Sequence, residues 1–273
     1  MDSLNLPNNL KLNFIAYGSF KPDELRFNII KKHVESYKKT SISGLLVEKD
    51  GVPLFSPNLQ DDVSAYELIF FKGEEKKAYQ LISENEPNTF YNWSEIDNKN
   101  ILIIKEKLKG TNYYLSQNWT FREDPYFEEG LKSIDSISSN ENSINTYETF
   151  FKLSSAYLLL WTIIERFCSL KYGNIRPTEK IKKLAEDNDI NWELLLSNIS
   201  RDDKIFRSDS GASFETISKK KGVKGVLNYY YGIRSNVAHR GKSFIMDFER
   251  IEASLNELKL IFQNILNTHN YKI

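Results

Sequence analysis

Apolar residues alternate through residues 10–17, at Leu10, Leu12 and Phe14, before the chain meets Gly18-Ser19 and Pro22-Asp23-Glu24. A strand, a tight loop and a helix reaching to about Tyr37 are the expected consequence. Residues 41–55 read as a hairpin turning at Asp50-Gly51, a dipeptide suited to the left-handed backbone of a two-residue turn. A strand over 65–71, a helix over 74–82 and strands over 91–104 and 112–119 complete the pattern. It predicts a mixed α/β domain over residues 1–122 with a largely antiparallel, barrel-like sheet.

The periodicity then changes. Over residues 144–171, Tyr147, Phe150, Phe151, Ala156, Leu159, Leu160, Ile163, Ile164 and Phe167 recur mostly at spacings of three and four, the signature of a long, largely buried helix. Gly173 stops it, and Pro177 opens another helix with Ile181, Leu184 and Ala185 on its inner face. A shorter helix is expected over 192–199 and a further one over 226–239. Ser243 is placed to cap a last helix whose stripe runs Phe244, Phe248, Ile251, Leu255, Leu258, Ile261, Ile265, with Asp247 and Glu249 near its positive end. No strand pattern interrupts this part, so residues 146–273 are expected to form an all-α bundle of four or five helices. Residues 123–145 are rich in Glu, Ser and Asn, with short apolar pieces at Tyr126-Phe127 and Leu131, and read as a linker.

Composition narrows the chemistry. A length of 273 residues, 40% hydrophobic and 13% aromatic, suits two domains. The single cysteine, Cys168, cannot form an internal disulfide, and with His33, His239 and His269 it offers no clustered metal-ligand spacing, so neither a metal nor another cofactor is expected. The N-terminal residues lack a basic segment leading into an apolar run, and no uninterrupted apolar stretch reaches membrane-spanning length; a cytoplasmic protein without membrane association is the expectation. The net charge is zero, but residues 1–150 hold 17 Lys+Arg against 23 Asp+Glu, whereas residues 151–273 hold 20 against 14.

The basic half contains Tyr231-Gly232-Ile233-Arg234-Ser235-Asn236-Val237-Ala238-His239-Arg240-Gly241-Lys242. Cleaving RNA without a metal needs a base or orienting group at the ribose 2′-hydroxyl and a cation at the phosphate, roles that imidazole and guanidinium fill near neutral pH. On a helix advancing about 100° per residue, Ser235 and Asn236 share the face of His239, while Arg234 is turned about 140° away. One copy then supplies half a site, and a homodimer with a twofold axis would complete it. Lys219, Lys220, Lys221, Lys224, Arg240 and Lys242 flank the motif and are expected to track phosphates.

This segment resembles the R-x4-H signature of HEPN-domain ribonucleases, in the branch where Tyr-x-x-Arg runs into His-Arg-Gly-Lys. Trp161-Thr162-Ile163-Ile164-Glu165-Arg166-Phe167 also resembles that family's first helix, where an acidic residue faces the motif. The resemblance implies Arg234, His239, Asn236, Ser235 and Glu165 as catalytic candidates, with Glu165 a partner for Arg234. It also implies a composite dimer site.

In the first half, Phe14-Ile15-Ala16-Tyr17-Gly18-Ser19-Phe20-Lys21-Pro22 looks like the substrate loop of the γ-glutamylcyclotransferase-like fold. Gly44-Leu45-Leu46, Val52-Pro53-Leu54-Phe55-Ser56-Pro57 and Ile82-Ser83-Glu84-Asn85-Glu86-Pro87 fall in that family's order. The resemblance implies that Tyr17, Gly18, Ser19 and Phe20 bind a small amine- or carboxylate-bearing ligand, and that Glu86 moves the proton. The combined expectation is an endoribonuclease of a toxin or antiphage-defence type, acting on RNA, regulated by the first domain and by an antitoxin or trigger protein. A small-molecule cyclotransferase with a dimerising helical domain, and a non-catalytic RNA-binding module, are the alternatives.

Overall fold

The computed structural model describes residues 4–105, 112–113, 117–139, 146–173, 175–197, 199, 201–206, 214–217, 221–240, 247–269 and 271. The chain divides into two units, Met1–Asp124 with Ser169–Asn174, and Pro125–Cys168 with Ile175–Ile273.

The first unit is built on a nearly closed, barrel-like mixed sheet. Its elements are β1 (Asn13–Ala16), α1 (Phe27–Ile30), β2 (Val34–Lys49), β3 (Val52–Phe70), α2 (Glu75–Asn85), β4 (Tyr91–Ile96), β5 (Lys99–Ile104) and β6 (Asn112–Tyr113). Strand order is β4-β5-β1-β3-β2-β6, antiparallel except where β1 runs parallel to β5. The hairpin turns at Asp50 and Gly51, with φ of 53° and 75°, as the dipeptide suggested. Its strands are far longer than expected, so the separate strand expected over 65–71 is the far end of β3.

The helix expected to reach Tyr37 ends at Ile30 and a 3₁₀ turn at Lys31–His33; Tyr37 lies in β2, opposite Leu68. This part of β2 is mostly exposed, so no buried face imposes alternation on its sequence; pairing with β3 makes it a strand. The strand expected over 112–119 is a strand at Asn112–Tyr113, while 117–119 are not in one.

α2 turns Ala78, Tyr79 and Ile82 into the core. The Tyr79 ring meets Phe14, Phe70 and Trp93 edge-on at 6.4, 5.2 and 5.4 Å, and its hydroxyl donates to the Leu12 carbonyl at 2.5 Å. Aromatic edges and one satisfied hydroxyl thus seat the helix that ends at Glu86.

The β2–β3 ladder changes register between Gly44↔Asp61 and Leu45↔Ser56, jumping residues 57–60 of β3. At this bulge the backbone of β2 closes on Phe55. A Cβ on Gly44 would stand 2.2 Å from the Phe55 ring and 2.7 Å from the Ser56 carbonyl oxygen. Only a glycine fits there.

The second unit comprises α3 (Pro125–Ser139), most of α4 (Tyr147–Tyr172), α5 (Pro177–Ala185), α6 (Trp192–Ser197), β7 (Asp203–Phe206), β8 (Phe214–Ile217), α7 (Gly222–Arg240) and α8 (Phe248–Thr268). Two expectations are corrected. The supposed linker is largely α3, whose Phe127, Leu131 and Ile134 are buried on one face, with the Phe127 ring 6.2 Å from Phe262 and 5.4 Å from Tyr271. Residues 140–145 lie outside the described residues. The supposed all-α bundle contains an antiparallel two-stranded ladder, β7–β8, with Ile205 opposite Glu215.

α8 follows the expected stripe, with Phe248, Ile251, Leu255, Leu258, Ile261 and Ile265 buried, although it begins after Asp247; Ser243 and Phe244 are outside the described residues. α4 is long and apolar enough to cross a membrane by length and composition. In its most apolar window 61% is buried inside the protein, as in a core helix.

Gly44→Ala is expected to lower stability by about 2–3 kcal/mol, because neither the ring nor the backbone oxygen can recede freely. Adding Phe55→Leu should recover part of the loss. Urea denaturation of the two variants and the double variant checks this; additive losses would show that the ring is not what excludes the side chain.

Candidate functional site

β1 delivers the chain into a tight loop at Tyr17-Gly18-Ser19-Phe20. The Gly18 carbonyl accepts the Lys21 amide at 3.0 Å, and the Ser19 carbonyl accepts the Arg26 amide at 3.0 Å, so the loop folds back on itself. A Cβ on Gly18 would stand 2.7 Å from Cγ of Pro53, which explains the small residue. Buried Lys21 donates to the Trp119 carbonyl at 2.6 Å and to Asn118 Oδ1 at 2.9 Å. Glu24 accepts the Phe121 amide at 2.9 Å. The C-terminal side of the loop is thereby fixed.

Glu86 caps α2 in extended conformation and points into the same place. Its side chain is 6% exposed, and its Oε1 accepts from Nη1 of Arg26 at 2.8 Å. Ser19 also bonds the carboxylate. Burial raises the Glu86 pKa, against the pull of Arg26 and Ser19. Tyr17 is pushed well above its ordinary value by burial and then by the Glu86 charge, while its oxygen accepts the Phe55 amide at 3.3 Å. Tyr91 closes the far wall and donates to the Pro53 carbonyl at 2.8 Å.

Tyr17, Gly18, Ser19, Phe20 and Glu86 therefore line one cavity, together with Arg26, Pro53 and Tyr91. Its volume is about 20 Å³, room for a water molecule. Arg26 escaped the sequence reading. The one available signal was that a carboxylate buried beside a tyrosine needs a cation.

In the second unit, α7 carries the R-x4-H segment. Arg234 Nη2 lies 3.4 Å from Glu165 Oε1 of α4, and the guanidinium carbon is 5.5 Å from the Tyr231 ring centre. Tyr231 in turn meets Trp161 edge-on at 5.4 Å. The expected Glu165 partner is thus at hand, and both charged groups remain about a quarter exposed. Ser235 and Asn236 are part-buried on the next turn. His239 and Arg240 belong to α7 by backbone, but their side chains, with Lys219, Lys220 and Lys242, lie outside the described residues. Lys221 and Lys224 are exposed at the opposite end of α7. Lys224 stands some 22 Å along the helix from His239, at about 1.5 Å per residue, so these two lysines are not beside the motif.

A polar network that the sequence did not announce holds α7 in place. Arg201 donates from Nε to both Glu257 oxygens, at 3.0 and 3.1 Å, and from Nη2 to Ser254 Oγ at 2.6 Å. Glu257 also accepts the Tyr230 hydroxyl at 2.9 Å. Asp203 accepts Tyr229 at 2.6 Å and Nε of Arg250 at 2.6 Å. Burial opposes ionisation of Asp203, but the Arg250 and Tyr229 bonds outweigh it and hold the carboxyl below its ordinary value. Tyr157 of α4 adds a bond to the Tyr230 carbonyl at 2.8 Å. Helices α7 and α8 and strand β7 are pinned together, leaving the C-terminal turns of α7 to present the motif.

A cleft of about 210 Å³ lies between α6 and α8, lined mainly by Leu195, Ile199, Leu260 and Ile261. Among the described residues, no group of three or more His, Cys, Asp or Glu side chains could hold a metal ion. Comparison with protein-family models, with curated proteins and with solved structures gives no match.

Burial pushes the Glu24 pKa up to about 7 from 4.5, with the Phe121 amide, Thr120 and Lys21 opposing. The folded state holds this proton more tightly than the unfolded chain. Its stabilising contribution is therefore complete below about pH 4.5 and is lost as pH rises through about 7. The loss is on the order of 3 kcal/mol at about 1.4 kcal/mol per tenfold change. Glu24→Gln keeps an acceptor for Phe121 and should flatten this part of the pH–stability curve between pH 5 and 8, measured by urea denaturation. An unchanged slope would remove Glu24 as its cause.

Proposed function

We propose that the chain is a metal-independent endoribonuclease of a toxin or antiphage-defence type. The observation that carries the reading is the Arg234–Glu165 pair: a part-exposed guanidinium, held over Tyr231, on the helix that bears His239 one turn beyond Ser235. A cation so fixed suits the charge that builds on a phosphoryl group during cleavage.

In the proposed reaction His239 takes the proton of a ribose 2′-hydroxyl. The 2′-oxygen forms a bond to phosphorus, the bond to the 5′-oxygen breaks, and that oxygen leaves with a proton as a 5′-hydroxyl. A 2′,3′-cyclic phosphate remains on the other fragment. Arg234 neutralises the phosphoryl oxygens, and Asn236 and Ser235 orient the scissile group. The α-helical backbone turns Arg234 about 140° from His239 around α7, which favours a homodimer whose two copies complete one cleft.

A second reading concerns the first unit and rests on the buried Glu86 beside the Tyr17-Gly18-Ser19 loop. A carboxylate with raised proton affinity in a small cavity suits ligand binding, or a γ-glutamylcyclotransferase-like proton transfer. In the combined proposal this unit is the sensor of the nuclease, and a ligand or a partner protein such as an antitoxin sets its activity. Binding of RNA without cleavage is the remaining alternative.

Purified wild type should cut RNA in excess chelator and leave cyclic phosphate and 5′-hydroxyl ends, read by end-specific ligation and sequencing. His239→Ala and Arg234→Ala should each lower the rate at least a hundredfold. Cleavage unaffected by either variant would sink the nuclease reading. Loss of a small-molecule activity in Glu86→Gln, with no RNA cleavage by wild type, would favour the cyclotransferase.

A further inference from the structure

Arg26 is a part-buried cation with capacity to spare. Its Nη1 is committed to Glu86, but its Nε–H is buried and has no acceptor among the described residues. A guanidinium is a planar fork that carries five N–H donors and grips a carboxylate best through two of them at once. Glu86 takes only Nη1. The phenyl face of Phe20 lies 6.0 Å from the guanidinium carbon, and a ring cannot replace an in-plane acceptor. The cation paired with Glu86 is thus incompletely matched, within a cavity that has room for a water and little else.

We propose that this cavity is a receptor for a small organic carboxylate, which docks on Arg26 and drives a proton onto Glu86. The inference rests on the reading of the first unit as a ligand pocket and assigns that pocket its ligand class. Bringing a second carboxylate to Arg26 leaves one part-buried cation facing two anions, and two anions cannot share so dry a site. The titratable side chains lining the cavity with Glu86 are Arg26, Tyr17 and Tyr91. Burial already raises the proton affinity of the Glu86 carboxyl, so Glu86 takes up the proton. The protonated carboxyl then needs no cation and releases Arg26 to the ligand. Ser19 remains beside Glu86 to meet the neutral acid. Binding therefore consumes one proton and strengthens as pH falls. Glu86 acts here as an exchangeable counter-ion.

The test uses the full chain, with acetate as the smallest organic carboxylate, γ-glutamylmethylamide as a γ-glutamyl probe, and methylammonium as the cation control. Sodium acetate replaces sodium chloride at constant ionic strength, and binding is followed by ligand-observed NMR and by the shift in unfolding temperature at pH 6 and pH 8. Acetate is expected to bind wild type about tenfold more tightly at pH 6 than at pH 8. Glu86→Gln should bind it at least tenfold more tightly than wild type at pH 8, with the pH dependence gone. Arg26→Gln should lose binding. If that variant does not fold, the Glu86→Gln profile decides alone. Acetate binding that is independent of pH, or weakened by Glu86→Gln, overturns the proposal. If acetate fails, the γ-glutamyl probe, which carries an α-carboxylate of its own, decides: tighter binding to Glu86→Gln with loss of pH dependence supports the receptor, whereas binding that ignores pH or is weakened by Glu86→Gln rejects it and leaves the ligand-pocket reading standing. Binding of methylammonium alone rejects the receptor too, and silence from every probe rejects both.

Discussion

A carboxylate taken out of water must be met by a cation or by a proton, and much of this protein is arranged around that requirement. Glu86 is met by Arg26, Glu257 by Arg201, and Asp203 by Arg250; the carboxyl of Glu24 instead keeps its proton to about pH 7. Each pair joins parts of the chain distant in sequence. Removing one partner would leave the other part-buried without its counter-charge, so the pairs specify which surfaces of loop, strand and helix meet. The apolar core supplies the drive to collapse, and these polar bonds select among the ways of collapsing.

The two units use this constraint differently. In the second unit the Arg201 and Arg250 clusters are richly bonded, with tyrosine hydroxyls and Ser254 filling the remaining positions. Such a network is a fastening. It fixes the buried middle of α7 through Tyr229 and Tyr230, and the part-exposed Arg234 follows one turn later. In the first unit the Arg26–Glu86 pair is thin by comparison, a single bond in a narrow cavity. Thin bonding at a buried charge is what an exchangeable site needs, since a fully satisfied pair would have nothing to gain from a visitor.

Elements with a strong local signal were legible in the sequence. The Asp50-Gly51 turn, the helix start at Pro177 and the stripes of α4 and α8 are written in local residue types or in spacings of three and four. What escaped was written in partnerships. Residues 34–40 became strand because β3 lies alongside, while Lys38 and Lys39 gave no apolar alternation. In α3 the apolar face is three residues wide, Phe127, Leu131 and Ile134, and the surrounding Glu and Ser outweighed it in any count of composition. β7 and β8 are short and offer no long alternation, and Asp203 of β7 is spent on a charge network. At the sites, Tyr17 to Phe20, Glu86 and Glu165 could be named from the resemblance of the segments that hold them. Arg26, Arg201 and Glu257 could not, because the need that each meets arises only once the chain has folded.

The geometry of the first sheet also orders events in time. β2 and β3 are neighbours in sequence and close by zipping outward from Asp50-Gly51, so this pairing demands little loop-closure entropy. β1 is another matter: its parallel partner β5 lies at the far end of the sheet-forming sequence, pairing Phe14 with Asn100. Nothing local rewards that closure, and contacts of this kind form slowly. Tyr17 and Ser19 follow directly from β1, while Glu86 sits between α2 and β4. The cavity is therefore lined by pieces distant in sequence, whose meeting carries a larger loop-closure cost than the hairpin does.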